Sequence, residues 1–152
     1  MNKNISFNNC PLGLYTKDRI DQDWNNPSRI MGVGSGRCNI VEDPINKSRH
    51  VLEIKYPKGK TGQEEDGGGA QWRLKFGESF LRRIVEYQVM FPIGFDFVKG
   101  GKLPGLFRAK GATFGIDNFN FTTFFGGNMP DWASTKDETA YFTDFKFEFY
   151  SK

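Results

Sequence analysis

The chain has 152 residues, among them 18 glycines and 16 phenylalanines, and a formal net charge of +3. That length suits one domain, and many turn formers with many aromatic strand formers exclude a helical bundle. The small charge without a Lys/Arg run gives no support to a nucleic-acid partner, and no stretch approaches the ~18 apolar residues of a membrane span.

Residues 1–14 are Asn-rich and weakly patterned, with Ile5, Phe7, Leu12 and Leu14 as their apolar points. An irregular N-terminal arm is expected there, followed by a single domain over residues 15–152. Thr16 to Trp24, TKDRIDQDW, starts with a helix N-cap and predicts one short helical turn, broken by Asn25-Asn26-Pro27-Ser28. Arg29 to Val41 reads as two short strands around Gly32-Val33-Gly34-Ser35-Gly36. That glycine run lacks the Lys-Ser/Thr ending and the strand-to-helix context of a phosphate loop, so it reads as a turn.

His50 to Tyr56 is a strand with Leu52, Ile54 and Tyr56 on one face. Lys58 to Gly69 is a polar loop, and its acidic residues Glu64, Glu65 and Asp66 lack the spacing of a calcium site. Ala70 to Phe76 is a strand with Trp72, Leu74 and Phe76 inward and Gln71, Arg73 and Lys75 outward. Gly77 to Arg83 is expected as a turn or short helix. Val85, Tyr87, Val89 and Phe91 then alternate with Glu86, Gln88 and Met90, until Pro92 ends regular pairing. Gly100-Gly101-Lys102-Leu103-Pro104-Gly105 is a shaped turn whose one cation is Lys102. The remaining strands are Thr113 to Ile116, Phe119 to Phe125 and Ala140 to Tyr150, the last two joined by a loop at Met129-Pro130-Asp131-Trp132. In the final strand Tyr141, Thr143, Phe145, Phe147 and Phe149 are expected to share one face. About eight strands at this turn spacing give an all-β, jelly-roll-like antiparallel β-sandwich.

The string FPIGFDFVKGGKLPGL resembles the signature of polysaccharide lyase family 14, the alginate and glucuronate lyases, and of the related glucuronan lyases. VLEIKYPKG at Val51 to Gly59, TTFFGG at Thr122 to Gly127 and AYFTDFKFEF at Ala140 to Phe149 resemble the family's early and closing strands. The resemblance implies a β-jelly roll that cleaves uronate polysaccharides by β-elimination, without cofactor or metal. It also implies a functional role for Lys102, at the sugar carboxylate or in proton transfer. The chain departs from the family between GGKLPGL and FFGG. The Ser-x-Arg and Tyr-x-Tyr pairs that complete the family's site are not found, and the middle strands are expected to be missing, leaving a sandwich reduced in strand number.

Elimination needs a group that neutralises the carboxylate, a base for the C5 proton and an acid for the departing oxygen. Lys102 is the catalytic candidate. Gln71, Arg73 and Lys75 are candidates for substrate binding, joined by Gln88 if its strand is their neighbour. Trp132 is either a surface for sugar stacking or a loop anchor. His50, the one histidine, is read as structural. Cys10 and Cys38 show no metal-ligand spacing and are expected as free thiols.

Two readings of function therefore stand side by side. One is a compact uronate-polysaccharide lyase. The other is a non-catalytic protein: a glycan-binding module, or a structural and interaction protein such as a minor component of a large DNA virus particle, since the family has members in such viruses. Lost middle strands would uncover part of a sheet's inner face or leave edges open, so docking to a protein partner or to a second copy is expected there. The start of the chain has no apolar h-region, so a cytoplasmic or virion-associated protein is expected over a secreted one.

Overall fold

The structure is a computed structural model and describes residues 2–62, 65–108, 115–127 and 129–150. In chain order the elements are β1 Lys3–Ile5, β2 Gly13–Leu14, α1 Lys17–Trp24, β3 Ser28–Met31, β4 Cys38–Glu42, β5 His50–Tyr56, β6 Ala70–Phe80 and β7 Arg83–Met90. There follow β8 Gly101–Lys102, β9 Gly105–Phe107, β10 Ile116–Phe125, a 3-10 turn at Pro130–Trp132 and β11 Glu138–Phe149. Four of the strands are only two or three residues long, which is why the count exceeds the eight expected.

The strands form two antiparallel sheets, and their architecture is the expected jelly-roll-type sandwich. The first runs β1-β11-β5-β4-β2, with β7 along the other side of β11. The second runs β3-β6-β10-β8, with β9 also beside β10. Period-two alternation puts Phe119 and Phe121 of the second sheet against Phe142, Phe145 and Phe147 of the first, with Trp72 stacked on Phe121.

The chain departs from its expected pattern at four places. Residues 2–14 are not an irregular arm: β1 pairs with β11, and Phe7 is completely buried against Tyr15 and Phe145. Gly77 to Arg83 is not a helix. β6 runs on to Phe80, and a turn at Leu81-Arg82 passes the chain to β7 in the other sheet. In β11 the register shifts between Thr143 and Lys146, and Asp144 has φ 53°. This bulge reverses the facing, so Ala140 and Phe142 point inward before it and Phe145 and Phe147 after it. Tyr141 and Thr143 thus lie on the opposite face from Phe145. Finally, the helix at Lys17–Trp24 is two turns long, capped by Thr16, whose hydroxyl accepts from Arg19 N at 3.4 Å, and ended by Asn25 in the left-handed region.

That helix closes the core. Trp24 is fully buried, and its ring meets Trp72, Phe119 and Phe121 of one sheet and Phe145 and Phe147 of the other, with centroids 5.2 to 6.5 Å apart. Ile20, Tyr15 and Phe7 fill the space beside it. Of the strand aromatics, Trp72, Phe119, Phe121, Phe125, Phe145 and Phe147 are buried, and Phe76, Tyr87, Phe91 and Phe149 pack partly buried at the margin of the core. The inner face expected to be uncovered is thus covered from within the chain. Both cysteines are free and buried, and burial pushes the Cys38 thiol up to about 12. The strand expected at Thr113 to Ile116 begins outside the described residues, and so does Glu64 of the acidic run.

Candidate functional site

The outward positions of the second sheet bring the polar side chains of three strands together. On β6 they are Gln71, Arg73 and Lys75; on β10 they are Asn118, Asn120, Thr122 and Phe124. Register places Thr122 opposite Gln71, Asn120 opposite Arg73 and Asn118 opposite Lys75. On the far side of β10, Phe124 pairs with Lys102 and Asn118 with Phe107. Cross-strand partners share a face, so Lys102, Gln71, Arg73 and Lys75 lie on one surface. From Lys75 to Lys102 that surface runs six residues along β10, about 20 Å at strand rise.

The chain folds this way because Gly101 lets β8 approach β10. A Cβ at Gly101 would lie 2.2 Å from the Phe124 carbonyl oxygen, closer than any side chain permits. Gly126 N donates to the Gly100 carbonyl at 3.0 Å and closes the turn. Beside it a cavity of about 150 Å³ is lined by Lys102 together with Tyr56, Phe91, Phe95, Phe97 and Phe125, and the Tyr56 hydroxyl is bonded to Thr123 at 2.5 Å. Lys102 itself is exposed.

Ion pairing differs between the two outer faces, with Lys146 on the first also unpaired among the described residues. On the first sheet, Arg49 is ion-paired with Asp43 and with Asp144, and Lys55 lies 3.6 Å from Glu53. On the second, Arg29, Arg73, Lys75 and Lys102 form no ion pair among the described residues. Burial first, and then the nearby Arg29 charge, hold Arg73 below the usual arginine range, with Asp117 opposing them. A face of unpaired cations interleaved with amides suits a ligand that carries both carboxylates and hydroxyls.

Two of the sequence candidates stand apart. β7 pairs with β11 and not with β6, so Gln88 lies on the other sheet, where it accepts from Arg49 Nη2 at 3.2 Å. Trp132 sits in the 3-10 turn with its indole against Gly127, whose missing Cβ would fall 2.4 Å from Cγ of the ring. Lys99 lies 5.9 Å from that ring and is ion-paired with Asp131, a setting that fits the loop anchor. His50 donates from Nδ1 to the Cys10 carbonyl at 2.8 Å, a structural bond. Sequence reasoning missed Asn118, Asn120 and Thr122, although their alternation with Phe119 and Phe121 was the readable signal, and it missed Arg29 and Phe107. Among the described residues no three His, Cys, Asp or Glu side chains gather as metal ligands, and no helix is long and apolar enough to cross a membrane.

Comparison with known proteins agrees with this architecture. Residues 44–113 match the family model of polysaccharide lyase 14, a span that contains both YPKG and GGKLPGL. The fold is similar to that of a marine PL-14 alginate lyase from Aplysia kurodai, with a TM-score of 0.77 and 15% identity over 97% of this chain and 98% of that one. It is similar to alginate lyase Aly36B, with a TM-score of 0.73 and 14% identity over 97% and 96%. A variant of Aly36B in complex with alginate trisaccharide gives a TM-score of 0.75 and 13% identity over 99% and 98%. No curated protein matches the chain. The resemblance to polysaccharide lyase 14 thus holds in both the matched segment and the fold.

Proposed function

We propose that this protein binds an acidic, uronate-containing polysaccharide along the outer face of the β3-β6-β10-β8 sheet. The observation that carries this reading is that Arg73, Lys75 and Lys102 share one amide-rich face and form no ion pair among the described residues. Arg73 and Lys75 receive sugar carboxylates, and Gln71, Asn118, Asn120 and Thr122 bond hydroxyls. The alginate complexes of similarly folded Aly36B variants support the choice of ligand.

β-Elimination is the second reading, favoured by the position of Lys102 on the same face, in register with Phe124. In that reaction the C5 proton leaves, the C4–O bond breaks and the departing oxygen is protonated. Lys102 is the group on this face that we place at the proton transfers, beside a cavity that Tyr56 also lines.

Calorimetry with alginate trisaccharide at low salt tests the binding. Arg73→Ala and Lys75→Ala should each weaken it roughly tenfold, the value of one charge-assisted contact. Lys146→Ala, on the other sheet, should leave it unchanged, and salt near ~0.15 M should weaken it for all. Equal affinity in all three variants would overturn the assignment. Absorbance from the new C4–C5 double bond, abolished by Lys102→Ala, separates cleavage from binding alone.

A further inference from the structure

Phe107 on β9 and Arg73 on β6 flank β10 from opposite sides, in register with Asn118 and Asn120. Yet the Arg73 guanidinium carbon lies 4.3 Å from the centre of the Phe107 ring. The two side chains therefore meet above β10, over the two asparagines. Beneath them, burial and polarity conflict. Asn118 points away from the core but is only 3% exposed. Arg73 Nε, Asn118 Oδ1 and Asn120 Oδ1 are all buried without a hydrogen-bond partner among the described residues. Unpaired buried polar atoms are unfavourable and rare, and an aromatic ring offers a guanidinium only its quadrupole where a carboxylate would offer full charge. Burial and then Arg29 depress the Arg73 titration, and Asp117 opposes them.

We propose that Phe107 is a movable cover on the glycan face: a uronate carboxylate displaces the ring from Arg73, and sugar hydroxyls then donate to the Asn118 and Asn120 oxygens it shields. This rests on the assignment of the face to an acidic polysaccharide. β9 is a three-residue strand whose one partner among the described residues is β10, so moving it breaks few ladder bonds. The cover also sets specificity. A neutral glycan with the same hydroxyls offers Arg73 nothing in exchange for the ring, so it leaves the asparagines shut away.

Phe107→Ala, with the milder Phe107→Leu beside it, tests the cover on the full chain, each variant checked for folding by near-UV circular dichroism. The probes are alginate trisaccharide and its carboxyl-reduced, neutral counterpart. The unaltered protein should bind only the acidic probe. Phe107→Ala should bind that probe about tenfold more tightly and gain measurable affinity for the neutral one, with Phe107→Leu between. If both variants bind the acidic probe as the parent does, or more weakly, Phe107 is a bystander or a stacking platform. The cover is then overturned while the face keeps its assignment. If neither parent nor variants bind either probe, the assignment fails and the cover with it.

Discussion

Trp24 sends its indole between the sheets, stacked on Phe119 at 5.9 Å and edge-on to Phe145 at 5.2 Å, while its Nε1 donates to the Tyr15 hydroxyl at 3.1 Å. Tyr15 in turn donates to Asp23 at 2.8 Å, so the ring is fixed by packing and by a short polar chain. Burial first, then the Asp23 charge, push the Tyr15 phenol well above the usual tyrosine range, which keeps it a neutral donor. Trp24→Ala would empty the space at the meeting point of five aromatic rings. A loss of about 3–5 kcal/mol is expected, seen as a drop in Tm on the order of 10 °C; a shift within error would show that the core closes without it. This residue was hard to read in the sequence. TKDRIDQDW is polar overall, and only Ile20 and Trp24, four apart, mark a buried helix face. Two apolar positions are too few to reveal a period.

Strand β10 is the element that joins core and site. Phe119, Phe121 and Phe125 face inward, while Asn118, Asn120 and Thr122 face outward between Arg73 on one side and Phe107 on the other. Its far end carries β8, held close by Gly101. Gly101→Ala would force a methyl group into the Phe124 carbonyl and push β8 away. Glycan affinity, and any elimination, should fall while the melting transition stays cooperative. Unchanged affinity would show that the placement of Lys102 does not depend on this contact. Much of this element pattern was legible, because alternation marks β5, β6, β7 and β10 directly. The facing of β11 was not. Both Tyr141-Thr143-Phe145 and Ala140-Phe142 satisfy period two, and only the bulge at Asp144 decides between them. Nor could alternation say which strands are neighbours, and the condition for Gln88 to join Arg73 fails because they lie on opposite sheets.

At the scale of the molecule, the sandwich covers its inner faces with its own N-terminal strands and helix, and it gathers Arg73, Lys75 and Lys102 on one outer face. The jelly-roll class was readable from turns and aromatics, and GGKLPGL holds Lys102 at the β8 edge of the second sheet. The proposed face was only half readable, since the unpaired state of Arg73, Lys75 and Lys102 depends on which carboxylates the fold keeps away. The most direct test is a ¹H–¹⁵N spectrum of the side-chain signals during titration with alginate trisaccharide. The account predicts that Arg73 Nε–H and the side-chain amides of Gln71, Asn118 and Asn120 shift in a saturable way, while the Gln88 amide stays fixed. Movement of Gln88 with the other four unchanged, or no movement at all, would contradict it.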